Sequence, residues 1–185
     1  MKKSILLTII LLCAVICIAP ACKKKTEDPI SQLPAATQTG ANTFGCLVNG
    51  QAYIPHVNAF GSAPYQCNYI YLNGGYYFTL SATEQQTDVS GLEIIIGTVN
   101  LPIAQGQTIK LENYNESGKA FGQYAVVGNS IHSYYTTTVT GGQLSITNFN
   151  QTNKTVSGTF FFDTVDSSGG IIHVTDGRFD MTYTI

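Results

Sequence analysis

Short runs of alternating apolar and polar residues, separated by turn residues, make up the chain from Phe44 onward. No stretch there keeps an apolar period of 3.6 residues over three turns, as an amphipathic helix would. Alternation puts successive side chains on opposite faces of a strand, so each run predicts a half-buried β-strand. The runs cover residues 44–48, 69–72, 76–80, 92–98, 107–111, 123–127, 134–139, 143–147, 155–164, 170–175 and 178–183.

The turn residues predict how these strands are connected. Asn49-Gly50, Asn73-Gly74 and Asp176-Gly177 each lie between two runs and favour two-residue hairpins, which need positive φ. Residues 140–142 and 167–170 suit looser hairpin loops. Because hairpins make sequence neighbours into sheet neighbours, they argue against a parallel α/β sheet. We therefore predict an all-β domain, an antiparallel β-sandwich with a closed antiparallel β-barrel as the alternative, and no substantial helix after residue 21.

One face of each of the last runs is strongly apolar and predicts the core. The opposite faces are rich in threonine, which is typical of a half-solvated sheet. The residues expected to face the core are Val156, Gly158, Phe160, Phe162, Ile172, Val174, Phe179, Met181 and Tyr183.

The N-terminus has the three parts of a secretion signal. Lys2 and Lys3 precede an apolar run over residues 5–18, and small residues follow it. A transmembrane helix needs about 20 apolar residues and positive charge on the cytoplasmic side, whereas this run is shorter and is followed by three lysines at 23–25. Residues 1–21 are therefore predicted to be a lipoprotein signal peptide.

The residues before Cys22 resemble a lipobox, with Ala19-Pro20-Ala21 preceding the cysteine. Cys22 is predicted to be the lipidated first residue of the mature chain, and a plain signal peptide cleaved after Ala21 is the alternative. Each buried CH₂ contributes about 0.8 kcal/mol, so two or more acyl chains hold a protein on a membrane. Residues 22–43 are polar, with Pro and Gly and no periodicity, and predict a flexible tether to one domain at residues 44–185.

The charge of that domain excludes one class of partner. It carries four basic and nine acidic residues, a formal charge of −5, whereas nucleic-acid binding needs a basic surface. Once the signal is removed and Cys22 is acylated, Cys46 and Cys67 are the only thiols. An even pair in an oxidising compartment predicts a disulfide, and two buried core residues are the alternative.

Two segments resemble a known family. TFGCLVNG at 43–50, followed by Tyr53-Ile54-Pro55, is similar to the opening of a Bacteroidota lipoprotein family of unknown function. GQLSIT at 142–147, VSGTF at 156–160 and TDGRFD at 175–180 are similar to its ending. The resemblance implies an outer-membrane lipoprotein with a compact β domain and brings no catalytic residues. Asp163-Thr164-Val165 also resembles the O-glycosylation acceptor motif of Bacteroidota, which makes Thr164 a candidate site.

Residues that carry chemistry are scattered, and no catalytic, metal-binding or phosphate-binding motif is present. His56, His132 and His173 lack zinc-ligand spacing. Asp163 and Asp166 lack the spacing of an EF-hand. Ser130 beside His132 has nothing to orient a base. No enzyme activity, cofactor or metal is predicted, although an uncharacterised enzyme is the third alternative for the function.

Aromatic residues are the one compositional excess: eleven tyrosines and nine phenylalanines without a tryptophan. Tyr69 and Tyr71 share a face, as do Tyr76 and Phe78. Such pairs stabilise sheets, and an exposed stripe would also stack on sugars. The leading prediction is a non-catalytic binding or structural module of the cell envelope, anchored to the membrane, expected at the outer membrane on its periplasmic or surface side. The alternative is a glycan-binding accessory surface lipoprotein. A glycan or an envelope protein is the expected further partner.

Overall fold

Eleven strands form the domain in the computed structural model, which describes residues 27–57, 63–87 and 90–185. The predicted signal peptide and Cys22 lie outside the described residues. The strands are β1 (Thr43–Val48), β2 (Gln51–Tyr53), β3 (Tyr65–Leu72), β4 (Gly75–Thr87), β5 (Ser90–Val99), β6 (Thr108–Leu111), β7 (Lys119–Val127), β8 (Ile131–Tyr135), β9 (Gly142–Asn150), β10 (Thr155–Val165) and β11 (Ile171–Thr182).

The strands hydrogen-bond in the order β2-β1-β11-β10-β9-β6-β7-β5-β4-β3, with β8 also on β7. All strand pairs are antiparallel except for one bridge between β6 and β7. The sheet folds over itself: Phe78 of β4 packs on Phe179 of β11, with ring centroids 6.2 Å apart. The Tyr53 hydroxyl of β2 donates to the Ala82 carbonyl of β4 at 2.6 Å. This is the predicted sandwich. The alternative of a closed barrel is wrong, because the two end strands, β2 and β3, do not pair with each other.

The strands β2-β1-β11-β10-β9-β6 form one layer, and β7, β8, β5, β4 and β3 form the other, joined to the first by the single bridge between β6 and β7. The core lies between these two layers and confirms the predicted faces. All nine residues expected to face inward are buried. Gly122 of β7 shows how closely the layers approach, because a Cβ there would lie 2.7 Å from the Phe162 ring of β10. No helix in the part of the chain that the structure describes has the length and apolar character to cross a membrane.

Two of the three predicted tight hairpins are confirmed. Asn49-Gly50 joins β1 to β2 and Asn73-Gly74 joins β3 to β4, all four residues with positive φ. The third predicted hairpin, at Asp176-Gly177, is wrong, because these residues lie inside β11. Between the pairs Phe160–Gly177 and Phe162–Val174, β11 has one extra residue, so it contains a β-bulge with Asp176 at φ +55°. A bulge and a hairpin both favour positive φ, so the dipeptide fits either.

The predicted flexible tether is wrong over its described part, because residues 28–42 dock on the domain. We call this segment the strap. It begins with a single turn of 3₁₀ helix, Pro29–Gln32. Pro34 lies directly on β1, where a Cβ at Gly45 would come 2.6 Å from its Cδ atom. At the other end of the strap, the Asn42 side chain accepts a hydrogen bond from the Thr182 amide at 2.9 Å. The segment thus belongs to the folded domain.

The predicted disulfide is also not formed. Cys46 of β1 and Cys67 of β3 are both free and buried. The two strands do not pair with each other, and both cysteines belong to the buried core. The alternative, two small core residues, is the one that the structure has.

Both thiols are expected to resist alkylation in the folded protein. Burial raises the pKa of Cys67 to about 12, and burial together with the nearby Glu84 raises the pKa of Cys46 further. The reactive thiolate is therefore scarce and shielded. Mass spectrometry after iodoacetamide treatment should find neither cysteine labelled in the native protein and both labelled in denaturant without reductant. If both cysteines react in denaturant only after reduction, the two are joined by a disulfide after all.

Candidate functional site

A group of tyrosines emerges from the core at the end of the sandwich formed by the β3–β4 hairpin. Tyr71 pairs directly with Tyr76 across this hairpin, and their ring centroids are 4.9 Å apart. Tyr69, two residues before Tyr71 on the same face, stacks on Tyr76 at 5.2 Å with an interplanar angle of 10°. The exposed fraction rises outward, from 7% for Tyr69 to 41% for Tyr76 and 65% for Tyr71. The core face of the hairpin thus continues into solvent as a row of rings.

The opposite layer holds this row in place. Phe149 of β9 and Tyr183 after β11 both contact Tyr69 edge to face, at 5.1 and 5.9 Å. Phe149 and Tyr183 stack on each other at 5.7 Å. Edge-to-face and offset-stacked pairs are the favourable aromatic geometries. The inner rings are therefore fixed by packing, and Tyr71 and Tyr76 are presented on a rigid support.

A cavity of about 250 Å³ lies against the rings, and we call it the tyrosine pocket. Besides the tyrosine phenols, its polar groups are the Gln151 amide and the Lys154 ammonium, which come from the turn between β9 and β10. Burial raises the pKa of Tyr69 and of Tyr183, so both phenols are neutral at pH 7. The lining consists of Tyr69, Tyr71, Tyr76, Gln151, Lys154, Tyr183 and Ile185.

The pocket offers groups for two kinds of contact, stacking on aromatic rings and hydrogen bonding. Flat, partly exposed rings offer apolar faces, and phenol, amide and ammonium groups offer hydrogen bonds at their edge. A ligand with an apolar face and several hydroxyls would match this arrangement of rings and polar groups. Comparison of the chain with protein-family models, curated proteins and solved structures finds no match.

The other residues weighed from the sequence do not converge. His173 pairs with Asp163 at 2.8 Å on the surface, while His56 lies 4.0 Å from Glu84. The Asp166 carboxylate accepts hydrogen bonds from Ser168 and Gly170 inside its own turn. Across residues 27–57, 63–87 and 90–185, no group of three or more His, Cys, Asp or Glu is placed to hold a metal ion.

Thr164, the candidate O-glycosylation site, is buried in the sandwich. Its side chain is completely inaccessible, and its hydroxyl has no hydrogen-bond partner in the described structure. Attachment of a sugar needs a hydroxyl that the transferase can reach. The prediction for Thr164 is therefore wrong, because the residue lies on the core face of β10 with Phe160 and Phe162 rather than on the outer face.

Asp180 is the residue that the sequence analysis missed. Asp180 is only 1% exposed, and its carboxylate accepts hydrogen bonds from the hydroxyls of Thr37 and Ser157, both at 2.7 Å. The amides of Thr39 and Gly40 donate to it at 2.9 and 2.8 Å. Burial alone would raise the pKa of Asp180, but these hydrogen bonds lower it well below its usual range. Asp180 thereby ties the strap to β10 and β11.

Proposed function

We propose that this protein is a non-catalytic, lipid-anchored module of the cell envelope that binds glycans through the tyrosine pocket. The observation that supports this most is the pair of exposed rings, Tyr71 and Tyr76, held rigidly beside Gln151 and Lys154. Stacking on such rings removes the apolar face of a sugar from water, and the polar rim exchanges hydrogen bonds with its hydroxyls. Rigid support lowers the entropy lost on binding.

The path of the strap supports an outward orientation of the pocket. The C-terminal end of the strap lies at Thr182, near the pocket, and its N-terminal 3₁₀ turn lies beside β2. Between these two ends the strap runs along β1. β2 pairs with the far half of β1, from Cys46 to Val48. From Cys22 to Glu27 the chain reaches at most about 18 Å. A lipid at Cys22 would hold the far end of the domain near the membrane and leave the tyrosine pocket facing away from it.

The binding proposal is tested on a glycan array with full-length protein purified in detergent. We expect the wild type to retain a family of neutral oligosaccharides. Tyr71→Ala should weaken this binding about fivefold or more, because one aromatic contact contributes about 1 kcal/mol. The matched control is Tyr114→Ala, since Tyr114 is also an exposed tyrosine stacked on a neighbour, at 4.1 Å from Tyr135, and lies outside the pocket.

Two outcomes would contradict the proposal. One is an array on which the wild type retains no glycan. The other is binding that Tyr71→Ala and Tyr76→Ala leave unchanged although both variants melt at the wild-type temperature.

The anchor is tested separately with Cys22→Ser in the native host. The proposal predicts that this variant leaves the membrane fraction or accumulates as unprocessed precursor, because no thiol remains at residue 22 to be acylated. Lys23→Ser is the control and should be processed and retained normally. Recovery of mature, acylated Cys22→Ser protein from membranes would exclude lipidation at this residue.

A further inference from the structure

A second concave surface lies on the outer face of the other layer, around Arg178. Thr159 of β10 pairs with Arg178 on one side and with Ser145 of β9 on the other. Gln143 pairs with Phe161 in the next row. These five outward side chains form the floor of a groove of about 380 Å³.

The bulge and the strap create this groove. The extra residue in β11 exchanges its faces, so Phe179 points to the core while Arg178 points outward. The strap then passes beside Arg178 and forms a wall with Ala36. The Pro34 carbonyl, also in the strap, accepts a hydrogen bond from Arg178 Nη1 at 3.5 Å. The groove is therefore built from two features of the fold that are distant in sequence.

Arg178 is an uncompensated cation in an acidic domain. None of the ion pairs within the described residues involves it. Its two hydrogen bonds go to backbone carbonyls at 3.4 and 3.5 Å, and they leave most of its five N–H donors free. The nearby Asp180 is already satisfied by Ser157 and the strap. Asp176 lines the groove but makes no ion pair with Arg178.

We propose that the Arg178 groove binds the carboxylate of an acidic sugar residue, a uronic acid. A guanidinium matches a carboxylate as a two-pronged donor. Phe161, 51% exposed on the groove floor, offers a flat apolar face for the sugar ring. Ser145, Thr159 and Gln143 offer hydroxyl and amide groups to the ring hydroxyls. This site goes beyond the proposed function and shares no residue with the tyrosine pocket, so each can fail without the other.

The groove is tested by NMR titration of full-length protein in detergent micelles, with glucuronate, glucose and inorganic phosphate as probes. We expect saturable shifts at Arg178 and Phe161 with glucuronate and at least tenfold weaker binding of glucose. Arg178→Gln should weaken glucuronate binding at least tenfold. Arg178→Lys should recover only part of it, because an ammonium is a point charge.

Two further variants are expected either to strengthen glucuronate binding or to leave it unchanged. Asp176→Asn should strengthen glucuronate binding severalfold, since it removes a like charge while asparagine tolerates the positive φ of the bulge. Tyr71→Ala should leave glucuronate binding unchanged, which separates this groove from the tyrosine pocket.

Three results would overturn the proposal. The first is glucuronate binding no tighter than glucose, and the second is binding that Arg178→Gln and Arg178→Lys leave unchanged. The third is phosphate binding as tight as that of glucuronate with no effect of Phe161→Ala, which would indicate a general anion site without sugar recognition.

Discussion

Replacing Asp180 with alanine is expected to lower the free energy of unfolding by about 3 to 5 kcal/mol. The substitution removes the acceptor of hydrogen bonds from Ser157, Thr37 and the strap amides. A hydrogen bond to a charged group contributes about 1.5 to 3 kcal/mol, and a buried donor left without an acceptor costs about 1 to 3 kcal/mol. Release of the strap to water recovers part of this loss, which keeps the total near the stated range.

Urea denaturation or calorimetry measures this effect, and a protein of this size loses about 2 to 4 °C in Tm for each kcal/mol. Asp163→Ala is the matched control, because Asp163 is a half-exposed carboxylate of the same sheet, paired with His173. A surface ion pair of this kind contributes at most about 1 kcal/mol. Equal losses for the two variants would show that the strap is not held by Asp180.

The same carboxylate gives the stability a predictable pH dependence. Because the folded pKa of Asp180 is lowered from an ordinary value of 3.8, its contribution is complete above about pH 4 and is lost as the pH falls toward the folded pKa. Asp180→Asn should therefore flatten the decline in unfolding free energy on acidification below about pH 4. If Asp180→Asn leaves the decline in unfolding free energy below about pH 4 unchanged, other carboxylates cause that decline.

The second large effect is expected at Phe162, and it has a neighbour as its control. Phe162 is fully buried on the core face of β10, with its ring against Gly122 of the opposite layer. Phe162→Ala should lower the unfolding free energy by about 3 to 5 kcal/mol, because the lost contacts leave a cavity. Phe161→Ala removes the same side chain one residue earlier, on the outer face, and should cost under about 1 kcal/mol. Comparable losses in chemical denaturation would mean that the two faces of β10 are assigned wrongly.

Alternation of apolar and polar residues predicts the faces of the strands well, because burial on one side of a sheet is local information. For this reason, the core-facing residues around Phe162 and Phe179 can be predicted from the sequence alone. The strand β2 (Gln51–Tyr53) is not predicted, because three residues are too few to show an alternating pattern. The Asp176-Gly177 dipeptide predicts a hairpin wrongly, because the positive φ that it favours serves a β-bulge equally well.

Longer-range features could not be predicted, because they depend on which strands meet. The strap reads as a linker until the buried Asp180 carboxylate is seen to need its amides. Cys46 and Cys67 suggest a disulfide from the sequence, but in the fold both thiols are free and buried in the core. Alternation predicts that Tyr69 and Tyr71 share a face, but the contacts of Phe149 and Tyr183 with Tyr69 arise only because the second layer packs there. The groove at Arg178 likewise requires both the bulge and the strap.

Glycan binding at the tyrosine pocket is tested most directly by NMR of the protein with isotope-labelled tyrosine rings. The chain has eleven tyrosines, few enough to assign each ring by substitution. The titration uses neutral hexasaccharides of β-glucan, xylan, mannan and chitin. Binding at the pocket predicts saturable shifts of the Tyr71 and Tyr76 rings with at least one of them, and unchanged signals from Tyr114 and Tyr135. No shift with any of the four, or shifts confined to rings outside the pocket, would contradict it.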